Sequence, residues 1–136
     1  RRVRRPIYVS ATKQHVGKTT TSLALLSGLN RRFSRVGFVK PVGQTSLPVV
    51  DEATGLTLRV DKDVVVLRER FKFGHLGKLR YRDMSPVMIG RGYTKRYIDG
   101  EVDGKEQMER ILRGYRNVER VSEVVLCEGT GHCAVG

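Results

Sequence analysis

Short apolar runs alternate with longer amphipathic stretches along this chain. Largely apolar runs, of the kind that buried β-strands show, occur at residues 6–11, 36–39 and 123–127. Apolar residues recur at helical spacing in three other stretches. The first begins near Lys18, and the other two span residues 64–73 and 104–121. The pattern therefore predicts three buried strands and three amphipathic helices.

The stretches between these elements carry weaker patterns. Residues 45–60 show no period and predict a loop, while residues 84–89 predict a short extended piece. Residues 90–97 are basic and aromatic and predict a loop that either binds an anion or simply forms surface.

A polar loop joins the first predicted strand to the first predicted helix and ends in Gly17-Lys18-Thr19-Thr20. Backbone N–H groups at a strand-to-helix turn, together with a lysine, form an anion site, and a hydroxyl after the lysine is a common Mg²⁺ ligand. Thr12 stands where the G-x-x-x-x-G-K-[ST] pattern has its first glycine. The residues predicted to bind the nucleotide are Lys13, His15, Val16, Gly17, Lys18, Thr19 and Thr20.

Lys13 lies five positions before Lys18 and has two interpretations. This piece resembles the partition and septum-site ATPases, in which a lysine at this spacing reaches the nucleotide of a dimer partner. Alternatively, Lys13 is a solvated loop cation.

Polar residues also lie next to the other predicted strands and helices. Lys40 follows the strand at 36–39, and Glu128 follows the strand at 123–127, so both belong to the strand ends where ligands bind open α/β sheets. Glu128 is predicted to hold Mg²⁺, through water, or to orient a reacting group. Lys40 is either a surface residue or a site residue, and Asp63 either caps the following helix or contacts a metal or substrate.

Net charge and length bear on nucleic-acid binding and on the number of domains. The 136 residues have a net charge of +12, and residues 1–40 contain ten Lys or Arg and no acid. Nucleic-acid binding is therefore possible but not favoured, because no RNA-binding aromatic pattern or zinc finger accompanies the charge. The length suits one domain, with a basic tail at residues 1–5 and a phosphate-loop domain at 6–136.

Two further features bear on location. No apolar run approaches about 18 residues, so no membrane span is expected. Cys127 and Cys133 fit neither a zinc pattern nor a disulfide framework. They indicate a reducing compartment, which is the cytoplasm or an organelle matrix or stroma.

Three runs together resemble the signature pieces of the dethiobiotin synthetase family, whose relatives include cobyrinate diamide synthases and the front domain of some phosphotransacetylases. The runs lie at residues 9–19, 37–42 and 126–131, and their order is that of the family. The resemblance implies an α/β fold, a Rossmann-like P-loop three-layer sandwich with a mainly parallel sheet. It also implies ATP and Mg²⁺ as cofactors and a homodimer with its sites near the interface.

The resemblance also assigns roles by position. Lys18 and Thr19 would bind phosphate and Mg²⁺, Asp63 and Glu128 would be metal-side carboxylates, and Lys40 would neutralise a phosphoryl group or carbamate. The metal set is thus Thr19, Asp63 and Glu128, and the catalytic set is Lys18, Lys40 and Glu128. The expected chemistry is that of an ATP-dependent ligase acting on a small-molecule carboxylate or carbamate.

The chain departs from the family at several points. Lys13 replaces an acidic residue, Ala11 replaces a glycine, and Gly43-Gln44 replaces a hydroxyl-rich sequence that contacts the substrate. The family continues beyond the position of Gly136 with further strands and an adenine-binding part, so the sheet is expected to be incomplete at its C-terminal end. Two alternatives to a ligase therefore stay open, a partition-type switch ATPase that dimerises on ATP and a regulatory nucleotide-binding module without turnover.

Overall fold

A computed structural model of the chain describes residues 5–10 and 17–130. The first half of the chain contains β1 (Ile7–Val9), α1 (Lys18–Leu29), β2 (Val36–Val39), β3 (Val42–Gly43), β4 (Ser46–Val50), β5 (Thr57–Asp61) and α2 (Lys62–Arg70). After a 3₁₀ turn at His75–Lys78 follow α3 (Tyr81–Met84), β6 (Val87–Met88), α4 (Tyr93–Ile98), α5 (Gly104–Val121) and β7 (Val124–Glu128).

The main sheet has three parallel strands in the order β1-β7-β2. Leu126 of β7 pairs with Ile7 of β1 on one side and with Phe38 of β2 on the other, so β7 lies between β1 and β2. Every residue of β7 and β2 is buried, as expected of parallel strands whose two faces are both covered. This sheet confirms the predicted parallel arrangement of residues 6–11, 36–40 and 123–127.

The two long helices cover opposite faces of this sheet. A Cβ on Gly37 would lie 2.6 Å from the Val118 side chain of α5, so the face containing Gly37 packs on α5. Side chains alternate between faces along a strand. Val125 pairs with Gly37 and so shares its face, and Glu128, three residues further along β7, lies on the opposite face. Glu128 contacts Ser22, so α1 covers that opposite face. The fold is therefore an α/β P-loop fold with helices on both sides of a parallel sheet, as predicted.

One apolar core holds these layers together. Its fully buried members come from the main sheet, from β5 and from helices on both faces, and include Leu26, Phe38, Leu126, Val64 and Val118. Burying a side chain of this size contributes about 1.5–3 kcal/mol, so the sheet and its helices form a single packed unit.

Two sequence predictions about irregular segments are wrong. Residues 45–60 do not form a loop, because β4 and β5 within them pair as an antiparallel hairpin. Residues 90–97 are not wholly a loop either, since α4 begins at Tyr93. The helix predicted at 64–73 begins earlier, at Lys62, and the helix at 104–121 agrees with α5.

Several sequence predictions fall outside the described residues. They concern Lys13, His15, Val16 and Cys133, and for these the sequence interpretations stand as predictions. Within residues 5–10 and 17–130, no helix has both the length and the apolar character of a bilayer span.

Candidate functional site

The carboxyl ends of the parallel strands and the start of α1 surround a cavity of about 210 Å³. Gly17 precedes α1 with φ 84° and ψ 28°, a left-handed conformation that glycine adopts without the steric cost a Cβ would bring. Lys18, Thr19 and Thr20 follow in the first helical turn and line the cavity. The N–H groups in the first turn of a helix attract anions, so the start of α1 is suited to bind one, while residues 11–16 of the loop lie outside the described residues.

Lys40 faces this cavity and is almost completely buried, with 6% of its surface exposed. Its Nζ donates a hydrogen bond to Asp63 Oδ2 at 2.7 Å. The same Nζ lies 3.3 Å from Asp61 Oδ1 and 3.4 Å from Glu128 Oε2. We call Lys40, Asp61, Asp63 and Glu128 the Lys40 carboxylate cluster.

Charges within the Lys40 carboxylate cluster shift its pKa values in different directions. Burial alone lowers the pKa of Lys40, but the hydrogen bond to Asp63 and the three carboxylates outweigh it, and the pKa is raised. Burial raises the pKa of Glu128, with a further increase from the charge of Asp63, and Lys40 opposes both. Burial also acts to raise the pKa of Asp63, but hydrogen bonds from Lys40 and Thr19 and the charge of Lys40 hold it below its usual value.

The carboxylates are fixed by neighbouring donors. Ser22 Oγ donates to Glu128 Oε1 at 3.0 Å, in the buried interior. Asp61 accepts from the backbone N–H of Asp63 at 2.8 Å and from that of Gln44 at 3.2 Å. Asp61 is therefore the residue that caps α2, and the interpretation of Asp63 as the helix cap is wrong. The side chain of Asp63 is instead directed to Lys40 and Thr19.

The predicted metal ligands are oxygen donors of the type that Mg²⁺ prefers. Thr19 donates to Asp63, and Glu128 Oε2 is buried without a hydrogen-bond partner among the described residues. One ammonium faces three carboxyl groups here, and a divalent cation would add the positive charge that such a set of oxygen ligands can neutralise. The residues therefore fit Mg²⁺, although no cluster of three or more His, Cys, Asp or Glu side chains with metal-binding geometry occurs in the part of the chain that the structure describes.

Two members of this arrangement were missed in the sequence. Asp61 is assigned no site role in the sequence predictions, because it ends β5 in the antiparallel hairpin and not a strand of the main sheet, yet its Oδ1 lies 3.3 Å from Lys40 Nζ. Ser22 lies one helical turn after Lys18, a position that its residue type alone does not mark as functional. The cavity and the Lys40 carboxylate cluster beside it bring together seven of the predicted site residues: Gly17, Lys18, Thr19, Thr20, Lys40, Asp63 and Glu128.

Comparison with known proteins agrees with this geometry. The profile of a protein family described as an AAA domain matches residues 5–136. The chain is 26% identical over 125 residues to an ATP-dependent dethiobiotin synthetase from Sulfurovum sp. (strain NBC37-1), covering 92% of this chain and 54% of that protein. It is 23% identical over 126 residues to a phosphate acetyltransferase from Synechocystis sp. (strain ATCC 27184 / PCC 6803 / Kazusa), covering 93% of this chain and 16% of that protein.

The matched relatives are longer proteins. The chain spans about half the length of the dethiobiotin synthetase and a smaller part of the phosphate acetyltransferase. The family match covers nearly the whole chain, and the sheet, the Gly17-Lys18-Thr19 turn and the acidic end of β7 agree with it. The chain therefore belongs to the AAA domain family that includes dethiobiotin synthetase, a family of P-loop nucleotide-binding proteins of the ATPase and ligase type.

Proposed function

We propose that this chain binds Mg-ATP in the cavity at the start of α1 and takes part in ATP-dependent ligase chemistry on a carboxylate or carbamate. The observation that carries the proposal is the burial of Lys40 among three carboxylates beside the cavity that Lys18 and Thr19 line. Burying four ionisable groups costs free energy, and stability alone does not require them. Such a cluster is typical of a site that handles charge.

Each residue has a distinct task in this proposal. Lys18 and the N–H groups of the first turn of α1 bind the phosphates. Thr19, Asp63 and Glu128 would hold Mg²⁺, which would supply positive charge to neutralise the charge that develops on the phosphate. Lys40 places a positive charge where a phosphoryl group passes to an oxygen of the carboxylate or carbamate, while the bond to the departing ADP breaks.

Calorimetric titration with Mg-ATP tests the binding part. Lys18→Ala removes charge-assisted hydrogen bonds worth roughly 1.5–3 kcal/mol each, so we expect ATP affinity to fall about 10- to 100-fold. Lys105→Ala, at an exposed position in the first turn of α5, is the matched control and should leave affinity unchanged. Equal affinities of the parent and Lys18→Ala would contradict the proposal.

Phosphate release from Mg-ATP tests the catalytic part, measured with and without added amino acids or dicarboxylic acids in bicarbonate buffer. Lys40→Ala should lower turnover more than ATP affinity, because its charge matters most where negative charge develops. Lys40→Arg preserves the charge, and thermal unfolding of both variants shows whether each one is folded. Unchanged turnover in Lys40→Ala would contradict the role proposed for Lys40, and absence of turnover in the parent chain would leave a binding module without catalysis as the better account.

A further inference from the structure

A larger cavity, of about 770 Å³, shares no lining residue with the one at the start of α1. Its walls come from β5, α3 and α5. Helices α3 and α5 approach closely here, because a Cβ on Gly114 would lie 2.7 Å from the carbonyl oxygen of Asp83. Five arginines line this cavity, which we call the arginine cleft: Arg59, Arg80, Arg82, Arg110 and Arg113.

The arginine cleft has a large excess of positive charge. The acidic residues in its lining are Asp83 and Glu106. Asp83 accepts a hydrogen bond from Asn117, and Glu106 lies 3.8 Å from Arg110 in an exposed pair of the kind that contributes little. Arg82 and Arg113 form no ion pair with any residue in the described ranges. Arginine stays charged at any physiological pH, so an anion that enters this cleft meets a net positive charge.

Arg80 gives a second indication. Its Nη2 is bound to Asp51 at 2.7 Å, yet its Nε is buried and has no hydrogen-bond partner among the described residues. Leaving a buried charged donor unsatisfied is costly. The cleft is thus lined by two arginines, Arg82 and Arg113, without an ion pair in the described ranges, and by Arg80, one of whose guanidinium N–H groups has no partner there.

The size and lining of the cleft restrict the ligand. Its volume lies within the range of about 300–1,000 Å³ that small-molecule sites occupy. Its described lining has no aromatic side chain on which a nucleic-acid base could stack, which disfavours single-stranded nucleic acid. Several guanidinium forks in one cleft suit a small ligand with several oxyanion groups, because each fork can bind a phosphate or carboxylate through two hydrogen bonds.

We propose that the arginine cleft is a binding site for a small multivalent oxyanion, a compound that carries several phosphate or carboxylate groups. Arg82 on α3 and Arg113 on α5 bind it, and Arg59 and Arg110 add charge. The site is separate from the proposed Mg-ATP site and does not depend on it.

Calorimetry with inorganic tripolyphosphate, without Mg²⁺, tests the site. Tripolyphosphate is also expected at the start of α1, so the measurement uses Lys18→Ala as its background. That variant should bind one equivalent, and adding Arg82→Gln and Arg113→Gln should weaken the binding about 100-fold. The matched control adds Arg31→Gln and Arg32→Gln, which make the same charge change after the end of α1, and should alter affinity less than threefold. A parallel titration with citrate shows whether carboxylates replace phosphates.

The outcomes separate clearly. Loss of tripolyphosphate or citrate binding in Arg82→Gln/Arg113→Gln, but not in the control pair, supports the site whatever becomes of ATP binding. Equal binding by both double variants overturns it, as does absence of binding to the Lys18→Ala background. If a DNA duplex binds the cleft and the small anions do not, the ligand is a macromolecular polyanion and the proposal is wrong. Thermal unfolding of each variant shows that the folded protein is being compared.

Discussion

Glu128 is fully buried and carries a carboxylate whose pKa burial raises above its usual value. Asp63 is close by, and the Lys40 hydrogen bond lowers its pKa despite burial. Two acids beside one ammonium thus differ in their effect on folding. The ionised form of Asp63 stabilises the folded protein, whereas the ionised form of Glu128 costs more free energy when folded than when unfolded.

Glu128→Gln should therefore raise the stability of the ligand-free protein by about 1 kcal/mol at pH 8. The amide keeps the side-chain volume, and the Ser22 hydroxyl can accept from it as well as donate. The cost of the Glu128 charge is fully present above its raised folded pKa and absent below its unfolded pKa of about 4.3, so the gain should vanish near pH 4. Urea denaturation from pH 4 to 8 measures it.

Asp63→Asn is the matched variant with the opposite expectation. In the parent, the ionised Asp63 carboxylate stabilises the folded protein above its unfolded pKa of about 3.9. This stabilisation is lost as the pH falls through the lower pKa of the folded state. The substitution should cost about 1–3 kcal/mol at pH 8, because it removes a charge-assisted hydrogen bond to Lys40. Destabilisation by both variants would show that Glu128 contributes to folding, contrary to the first expectation.

The residues of the site were predictable to different degrees. Lys40 and Glu128 were recognisable because each lies at the end of an apolar strand, and parallel strands bring such residues to one edge. Asp61 was not, because the hairpin that carries it has no clear alternation of apolar and polar positions. Ser22 was not either, since its role depends on a buried contact with β7, which is remote in sequence.

At the level of elements, sequence prediction succeeded where one face of an element is buried. The boundaries of β2 and α5 agree with their patterns because β2 is buried throughout and α5 has a single apolar stripe. Helix α4 buries no residue, so no periodicity marked it. Strand β4 of the hairpin exposes apolar residues on both of its faces, including Leu47 and Val50, and this obscured the period of two.

Two helical glycines give a paired test of how the elements pack. Gly114→Ala should destabilise the protein by about 1–3 kcal/mol, because the new Cβ would be 2.7 Å from the backbone oxygen of Asp83 and the two helices would have to separate. Gly28→Ala in α1 meets no atom within 4 Å and should stabilise by about 0.5–1 kcal/mol through helix propensity. The measurement is the midpoint of chemical denaturation.

The two variants are expected to change the stability of the protein in opposite directions, and each sign tests the packing of one helix. If Gly114→Ala is as stable as the parent, helix α5 does not pack against α3 as described, and one wall of the arginine cleft would be placed wrongly. Destabilisation by Gly28→Ala would instead show that α1 is already strained near its C-terminus.

At the scale of the whole molecule, the distribution of charge in space differs from its distribution along the chain. The sequence places its strongest excess of positive charge in residues 1–40. The arginine cleft draws its charges from residues 59 to 113, and acids are interspersed with them in sequence. Only folding brings those arginines together, so no window of the sequence could have revealed the cleft.

The strand order β1-β7-β2 also has a consequence for synthesis of the protein. A ribosome releases β1 and β2 long before β7, the strand with which both of them pair in the described structure. Pairing between positions so distant in sequence is slow, and unpaired apolar strand edges favour aggregation. Ribosome-bound chains halted after Val121 should therefore be cut rapidly by protease, whereas chains that have also exposed Val124–Glu128 should resist. The strand that supplies Glu128 to the site would thus decide when the nascent chain no longer needs a chaperone.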